Sequence, residues 1–165
     1  MPRIPGPVLL GLPGAGCSPA IYDRIQVRGW TMLGVDWSRS SGPIDPVSVA
    51  QRLLAAIRQF TGPVVLLGHS TGAAIAALAG SMAVAESPLA ALVLSNTGVH
   101  SRRHGDPTLV QRIAEQWTTQ EQHAFLSACF HRVPPAPLWE TLCSYLASIP
   151  PTAMLESVQG LRARS

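Results

Sequence analysis

The chain has 165 residues, of which 47% are hydrophobic and only 13% are charged; this balance predicts one folded domain and excludes a disordered protein. The net charge is +3 and every basic residue is an arginine, but the arginines are scattered rather than clustered, so we expect no nucleic-acid partner. No apolar run reaches the roughly 18 residues of a membrane span, so we expect no membrane partner either.

Cysteine is sparse in this chain, with Cys17, Cys129 and Cys143 as its three examples. An odd number does not describe a disulfide framework, and no two of them have the spacing of a metal-ligand pair. We therefore expect a reducing, cytoplasmic location, no metal site and no organic cofactor.

The first part of the chain alternates short apolar runs with amphipathic stretches. Strands are predicted at residues 7–12, 30–36, 64–67 and 89–95, and helices at 19–27, 46–60 and 71–84. The run at 64–67 is apolar at every position, which is typical of a strand covered on both faces in a parallel sheet. The alternation predicts an α/β fold, a mostly parallel sheet with helices on both faces.

The second part of the chain contains no convincing strand. Helices are predicted at residues 109–117, 119–132, 138–149 and 153–163. The second of these follows a capping box that begins at Thr118. We therefore divide the chain into a half-sheet, residues 1–98, and a helical segment, residues 99–165.

A nucleophile motif lies between the third strand and its helix: Gly68-His69-Ser70-Thr71-Gly72. Gly-x-Ser-x-Gly is common by chance, but a strand before it and a helix after it are what a strained nucleophile turn requires. Ser70 is the predicted nucleophile, and the Thr71 N–H is the predicted oxyanion donor. We expect His69 to fill the turn and to point away from Ser70. The competing interpretation is an ordinary Gly/Ser turn.

Four segments carry a family resemblance: Val-Leu-Leu-Gly-Leu-Pro-Gly-Ala-Gly at 8–16, the strand that ends in Asp36, Val-Val-Leu-Leu-Gly-His-Ser-Thr-Gly at 64–72, and Ala-Leu-Val-Leu-Ser-Asn-Thr-Gly at 91–98. In this order they resemble the α/β-hydrolase superfamily. The resemblance implies that Ala15, after Pro13-Gly14, offers the second oxyanion N–H, and that the later helices form a cap. It also implies a serine hydrolase that acts on an ester, lactone or related acyl bond of a small molecule.

The family's acid and His follow later strands, and no such strands are predicted here. A substitute triad would combine Asp106 or Glu121 with His123 or His131, but all four fall in the helical segment. Otherwise the acid and His come from a missing C-terminal portion, and the chain is a fragment, a split gene or a decayed copy. Such a chain would pair with a complementary fragment or form a homodimer. It could also be an inactive remnant that serves as a binding protein.

A second motif competes for the first loop. Residues 11–18, Gly-Leu-Pro-Gly-Ala-Gly-Cys-Ser, match a phosphate-binding P-loop except that Cys17 stands where the lysine belongs. Asp36, after the second strand, could imitate a metal-binding aspartate. Nucleotide binding is therefore a remote alternative.

Overall fold

A computed structural model describes residues 5–98 and 106–163 of the chain. Its strands are β1 (Val8–Leu12), β2 (Thr31–Gly34), β3 (Val64–His69) and β4 (Leu89–Ser95). Its α-helices are α1 (Pro46–Ile57), α2 (Thr71–Met82), α3 (Leu109–Gln116), α4 (Thr119–Ala128), α5 (Ala136–Ala147) and α6 (Pro151–Arg162). A short 3-10 helix, Pro19–Tyr22, follows β1. No helix among the described residues is long and apolar enough to cross a membrane.

The four strands form one sheet in the order β2-β1-β3-β4, and every neighbouring pair is parallel. The predicted α/β fold is therefore confirmed. Since all strands run the same way, their carboxyl ends meet at one edge of the sheet. The loop after β1 and the turn after β3 both lie at that edge, which brings the two predicted halves of the oxyanion site together.

The core lies around the two central strands. Val8, Val64 and Leu66 are fully buried, and α1 and α2 cover them with residues such as Ile57 and Ile75. Each strand places alternate apolar residues on one face, and each helix does the same with every third or fourth residue. These apolar faces pack together in the core.

Several elements of the structure are shorter than the sequence predicts. The helix predicted at 19–27 is only the 3-10 helix Pro19–Tyr22. The strand predicted at 30–36 is β2, Thr31–Gly34, and its backbone hydrogen bonds to β1 end with Val35 N–H, which donates to Gly11 O at 2.8 Å. The helix expected to reach residue 132 ends at Ala128, because Cys129 turns its N–H back to Leu126 and Ser127. Apolar residues continue in the sequence beyond the ends of these elements. Apolar residues therefore do not show where the backbone hydrogen bonds of a helix or strand end.

The helices after residue 106 build a second buried cluster around side chains such as Leu126, Leu142 and Leu146. Ala15 and Ala153 pack against both this cluster and the sheet core. The boundary predicted between residues 98 and 99 falls where the described range ends, so the division into two parts stays a prediction.

Strand β4 forms one edge of the sheet. Its side chains are apolar on both faces, yet Leu92, Val93 and Leu94 are 37%, 48% and 45% exposed. An apolar strand with an open edge is a ready template for pairing with another chain.

Candidate active site

Ser70 occupies the turn between β3 and α2 in a conformation that serine rarely adopts. Its φ is 53° and its ψ is −121°. Positive φ costs a residue with a Cβ roughly 1–3 kcal/mol and persists only where the surroundings enforce it. Here the Ser70 N–H donates to Ser95 O of β4 at 3.0 Å, and Ser70 O accepts from Ala73 and Ala74. Strand and helix together therefore hold the predicted nucleophile at the carboxyl edge of the sheet.

The two motif glycines allow this turn to be so tight. A Cβ on Gly68 would lie 2.5 Å from the Ala73 Cα, inside the helix that follows. A Cβ on Gly72 would overlap the carbonyl oxygens of Leu12 and Pro13 in the first loop. Both positions need glycine because backbone, not a flexible side chain, occupies the space.

Two backbone N–H groups are available beside Ser70. Among the described residues, no acceptor is found for the N–H of Ala15 or of Thr71. Thr71 begins α2, where the helix dipole adds partial positive charge. The first loop lies against the nucleophile, since a Cβ on Gly14 would be 3.6 Å from Ser70 Oγ. The arrangement can bind an oxygen that gains negative charge.

Buried aromatic donors hold that first loop in place. The Trp37 indole N–H donates to Pro13 O at 2.9 Å, and the Tyr22 hydroxyl donates to Leu12 O at 2.8 Å. Both side chains are buried. A loop held in place in this way keeps its backbone N–H groups in position, and an oxyanion site with N–H groups already in position does not have to reorganise during a reaction.

Ser70 borders a cavity of about 290 Å³, and residues of α3, α4 and α6 form part of the cavity wall. The wall is mainly apolar and includes Ala15, Leu109, Ala124, Phe125, Ala128, Val158 and Leu161. Polar and charged groups border it as well: Cys17, His69, Thr71, Asp106, Arg112, Cys129 and Arg162. The cavity residues of α4, and likewise those of α6, are spaced three or four positions apart. This spacing places the residues of each helix on one face, which the sequence could have shown. Nothing in the sequence showed that these helix faces would lie next to Ser70.

His69 is among the residues that border the Ser70 cavity, and the expectation that its side chain points away from Ser70 stays a prediction. His69 Nε2 lies 3.5 Å from Asn96 Nδ2 at the end of β4, and Nδ1 is buried without a hydrogen-bond partner among the described residues. The ring is half buried because the neighbouring strand and the first loop enclose it. Burial lowers the pKa of His69, which favours the neutral ring.

The acids of the substitute triad are engaged elsewhere. Asp106 borders the cavity, but its carboxylate accepts from Thr108 N–H at 2.8 Å and from Arg112 Nη1 at 2.8 Å. Hydrogen bonds from Thr108, and then from Arg112, lower the pKa of Asp106. Glu121 accepts from Arg112 Nε at 2.7 Å.

The histidines of that triad do not reach the site. His123 is exposed and packs edge-on against Trp139, with ring centroids 6.0 Å apart. Neither His123 nor His131 is among the residues that border the Ser70 cavity. The structure therefore does not assemble a substitute triad.

The features that suggested a P-loop have other contacts. Asp36 accepts from Arg39 Nε at 2.8 Å and from the Tyr145 hydroxyl at 2.5 Å, which joins β2's end to α5. The Ser18 hydroxyl caps the 3-10 helix by accepting from Ala20 N–H. Within residues 5–98 and 106–163, no group of three or more His, Cys, Asp or Glu side chains could hold a metal ion.

Solved structures share this fold. The chain is similar to an esterase, EaEST, from Exiguobacterium antarcticum, with 21% identity, a TM-score of 0.73, and coverage of 98% of this chain and 67% of that one. It is similar to the N-acyl homoserine lactonase AidH, with 16% identity, a TM-score of 0.67, and coverage of 96% and 62%. The type II thioesterase YbtT of the yersiniabactin pathway matches at 19% identity and a TM-score of 0.63, with coverage of 96% and 67%.

The chain thus spans about two thirds of the length of these structures. No curated protein matches it in sequence. The profile of the alpha/beta hydrolase family, however, matches residues 8–164. Since this match covers nearly the whole chain, the protein belongs to the alpha/beta hydrolase family.

Proposed function

We propose that this chain is the nucleophile-bearing part of a serine hydrolase that acts on an ester, lactone or related acyl bond of a small molecule. The observation that carries the proposal is Ser70, held at positive φ between strand and helix with its side chain in a cavity. The esterase, lactonase and thioesterase among the similar structures support an acyl substrate.

In this proposal Ser70 Oγ attacks the substrate carbonyl carbon while its proton passes to a general base. The carbonyl oxygen becomes an oxyanion, which accepts hydrogen bonds from the N–H groups of Ala15 and Thr71. When the tetrahedral intermediate collapses, the leaving group takes the proton, and water then hydrolyses the acyl-serine. The chemistry requires no metal or organic cofactor.

Among the residues that the structure describes, no histidine is hydrogen-bonded to Ser70, so these residues do not supply a general base. Triad enzymes without a base retain only about 10³–10⁴-fold catalysis over water. We propose that a complementary C-terminal segment carrying the acid and the histidine completes the site. The open edge of β4 and its apolar faces are where such a segment would add to the sheet.

Fluorophosphonate labelling tests the nucleophile. We expect the probe to modify Ser70 in the wild-type chain when the C-terminal portion of a similar esterase is added, and to leave Ser70→Ala unmodified under the same conditions. Ser81→Ala is the matched control, because Ser81 lies on the same helix and its exposed hydroxyl only donates to Leu78 O. Labelling of Ser81→Ala should equal that of the wild type. Equal labelling of Ser70→Ala would contradict the proposal.

A second candidate is a non-catalytic member of the family that binds a ligand in the same cavity. The observation that favours it is the absence of a hydrogen-bonded base beside Ser70 within the described residues. Turnover of a nitrophenyl ester by the chain, alone and with added C-terminal portion from a similar esterase, separates the two. A remnant shows no Ser70-dependent turnover in either case, whereas a split hydrolase gains it when the portion is added.

A further inference from the structure

Two cysteines that the proposed hydrolysis does not use border the Ser70 cavity. Cys17 lies in the loop after β1, residues 13–17, which carries the proposed oxyanion donor Ala15 and is called the oxyanion loop below. Cys17 is buried and donates its N–H to Gly14 O at 3.0 Å. Cys129 ends α4, is exposed, and donates its thiol to Phe125 O at 3.3 Å. Although they are far apart in the chain, the fold places both at the border of this one cavity.

The loop and the helix that carry these cysteines already touch. Gly16 has a positive φ of 73°, and a Cβ there would lie 3.2 Å from Phe125 Cε1. Gly16 precedes Cys17, and Phe125 lies one helical turn before Cys129 and accepts its thiol hydrogen bond, so the two segments that carry the cysteines pack side by side.

The two thiols differ in chemical character. A hydrogen bond with the Cys129 thiol, and then burial, raise the pKa of Cys17. The same hydrogen bond from Cys17 lowers the pKa of Cys129, against the effect of burial. Cys129 is therefore the group that ionises first, and it is also the one that solvent reaches. A thiolate with solvent access is the form that reacts with oxidants.

We propose that Cys17 and Cys129 form a reversible, peroxide-sensitive disulfide that ties the oxyanion loop to helix α4. The Cys129 thiolate attacks one oxygen of hydrogen peroxide, the O–O bond breaks, and hydroxide leaves, which gives the Cys129 sulfenic acid. The Cys17 sulfur then attacks the Cys129 sulfur, and the S–S bond forms as water leaves with the Cys17 proton. Peroxide is reduced, and both thiols are oxidised.

The third cysteine provides the control. Cys143 lies on α5, is free, and does not border the cavity. Burial raises its pKa, so it is a weaker target for peroxide. Cys143→Ser should leave the reaction of the pair unchanged.

Peptide mass mapping tests the proposal on the full chain. After one equivalent of hydrogen peroxide and alkylation without reduction, we expect a Cys17–Cys129 cross-linked peptide about 2 Da lighter than its two parts. Dithiothreitol should restore both thiols, and Cys143→Ser should cross-link as the wild type does. A Cys129 sulfinic acid beside an alkylated Cys17, or a cross-link through Cys143, would overturn the proposal.

Cys17→Ser sharpens the test, because it removes the resolving thiol but keeps a small side chain. Dimedone should then trap the Cys129 sulfenic acid, and no cross-link should form. If Cys17→Ser does not fold, the wild-type and Cys143→Ser maps still decide the outcome.

The consequence for Ser70 rests on the proposed function and has its own readout. Because the disulfide would anchor the loop that carries Ala15, we expect fluorophosphonate labelling of Ser70 to slow several-fold on oxidation and to recover on reduction. A cross-link that forms while neither state is labelled, even with the added C-terminal portion, would refute the proposed hydrolase and leave the redox pair intact.

Discussion

Strands β3 and β4 are neighbours with similar sequences, but the fold treats them differently. Leu66 of β3 pairs in register with Leu92 of β4, and Leu66 is fully buried whereas Leu92 is 37% exposed. Both strands read as apolar on two faces, the pattern of a strand covered on both sides. The comparison shows that β4 has the composition of an interior strand and the position of an edge strand.

The largest effect should come from truncating the buried member of that pair. Leu66→Ala should lower the free energy of unfolding by about 3 kcal/mol, since it leaves a cavity in the core. Leu92→Ala should cost only about 1 kcal/mol, because a third of its side chain already meets solvent. Urea denaturation measures both. Equal losses would mean that another chain covers β4 in solution.

A smaller difference is expected between two glycines of α2. Gly72→Ala drives its Cβ into the carbonyl oxygens of Leu12 and Pro13 and should cost about 2 kcal/mol. Gly80→Ala meets the Leu92 side chain instead, which can move because it lies on the open strand. The gain in helix propensity, about 1 kcal/mol, should make Gly80→Ala close to neutral. Urea midpoints that fall equally for both variants would show that the edge strand is as rigid as the interior.

The smallest effect concerns the link between the sheet and the helices. Burial acts to raise the pKa of Asp36, but hydrogen bonds from Arg39 and Tyr145 outweigh it and lower the pKa. A lowered pKa stabilises the fold above the carboxyl's unfolded value of about 4, and this contribution is lost as pH falls through the folded value.

Tyr145→Phe should therefore cost about 1 kcal/mol at pH 7, a value reduced for the partial exposure of Asp36. The cost should begin to shrink below about pH 4, where the unfolded chain's carboxyl binds a proton, and should disappear as pH falls through the lower pKa of the folded state. Thermal unfolding at pH 7 and pH 3 measures the change. A cost that is the same at both pH values would assign the effect to packing of the ring rather than to the hydrogen bond.

Much of this architecture could be predicted from local patterns. The elbow around Ser70 was identifiable because glycine spacing, a buried strand and a small-residue helix all depend on neighbouring residues in the chain. The shortened first helix and β2 were not, since their ends depend on hydrogen bonds such as Val35 to Gly11 between distant segments. The position of His69 also depended on a distant partner, Asn96.

The sequence by itself determined the order of strands and helices, the parallel sheet and the tight glycine turn around Ser70, because hydrophobic periodicity and glycine placement act over a few residues. Only the tertiary structure decided that Cys17 and Cys129 border one cavity, that Asp106 accepts hydrogen bonds from Arg112 and Thr108, and that β4 is an edge strand among the residues described. Periodicity tells which face of an element is apolar, but packing decides which other element, if any, covers that face.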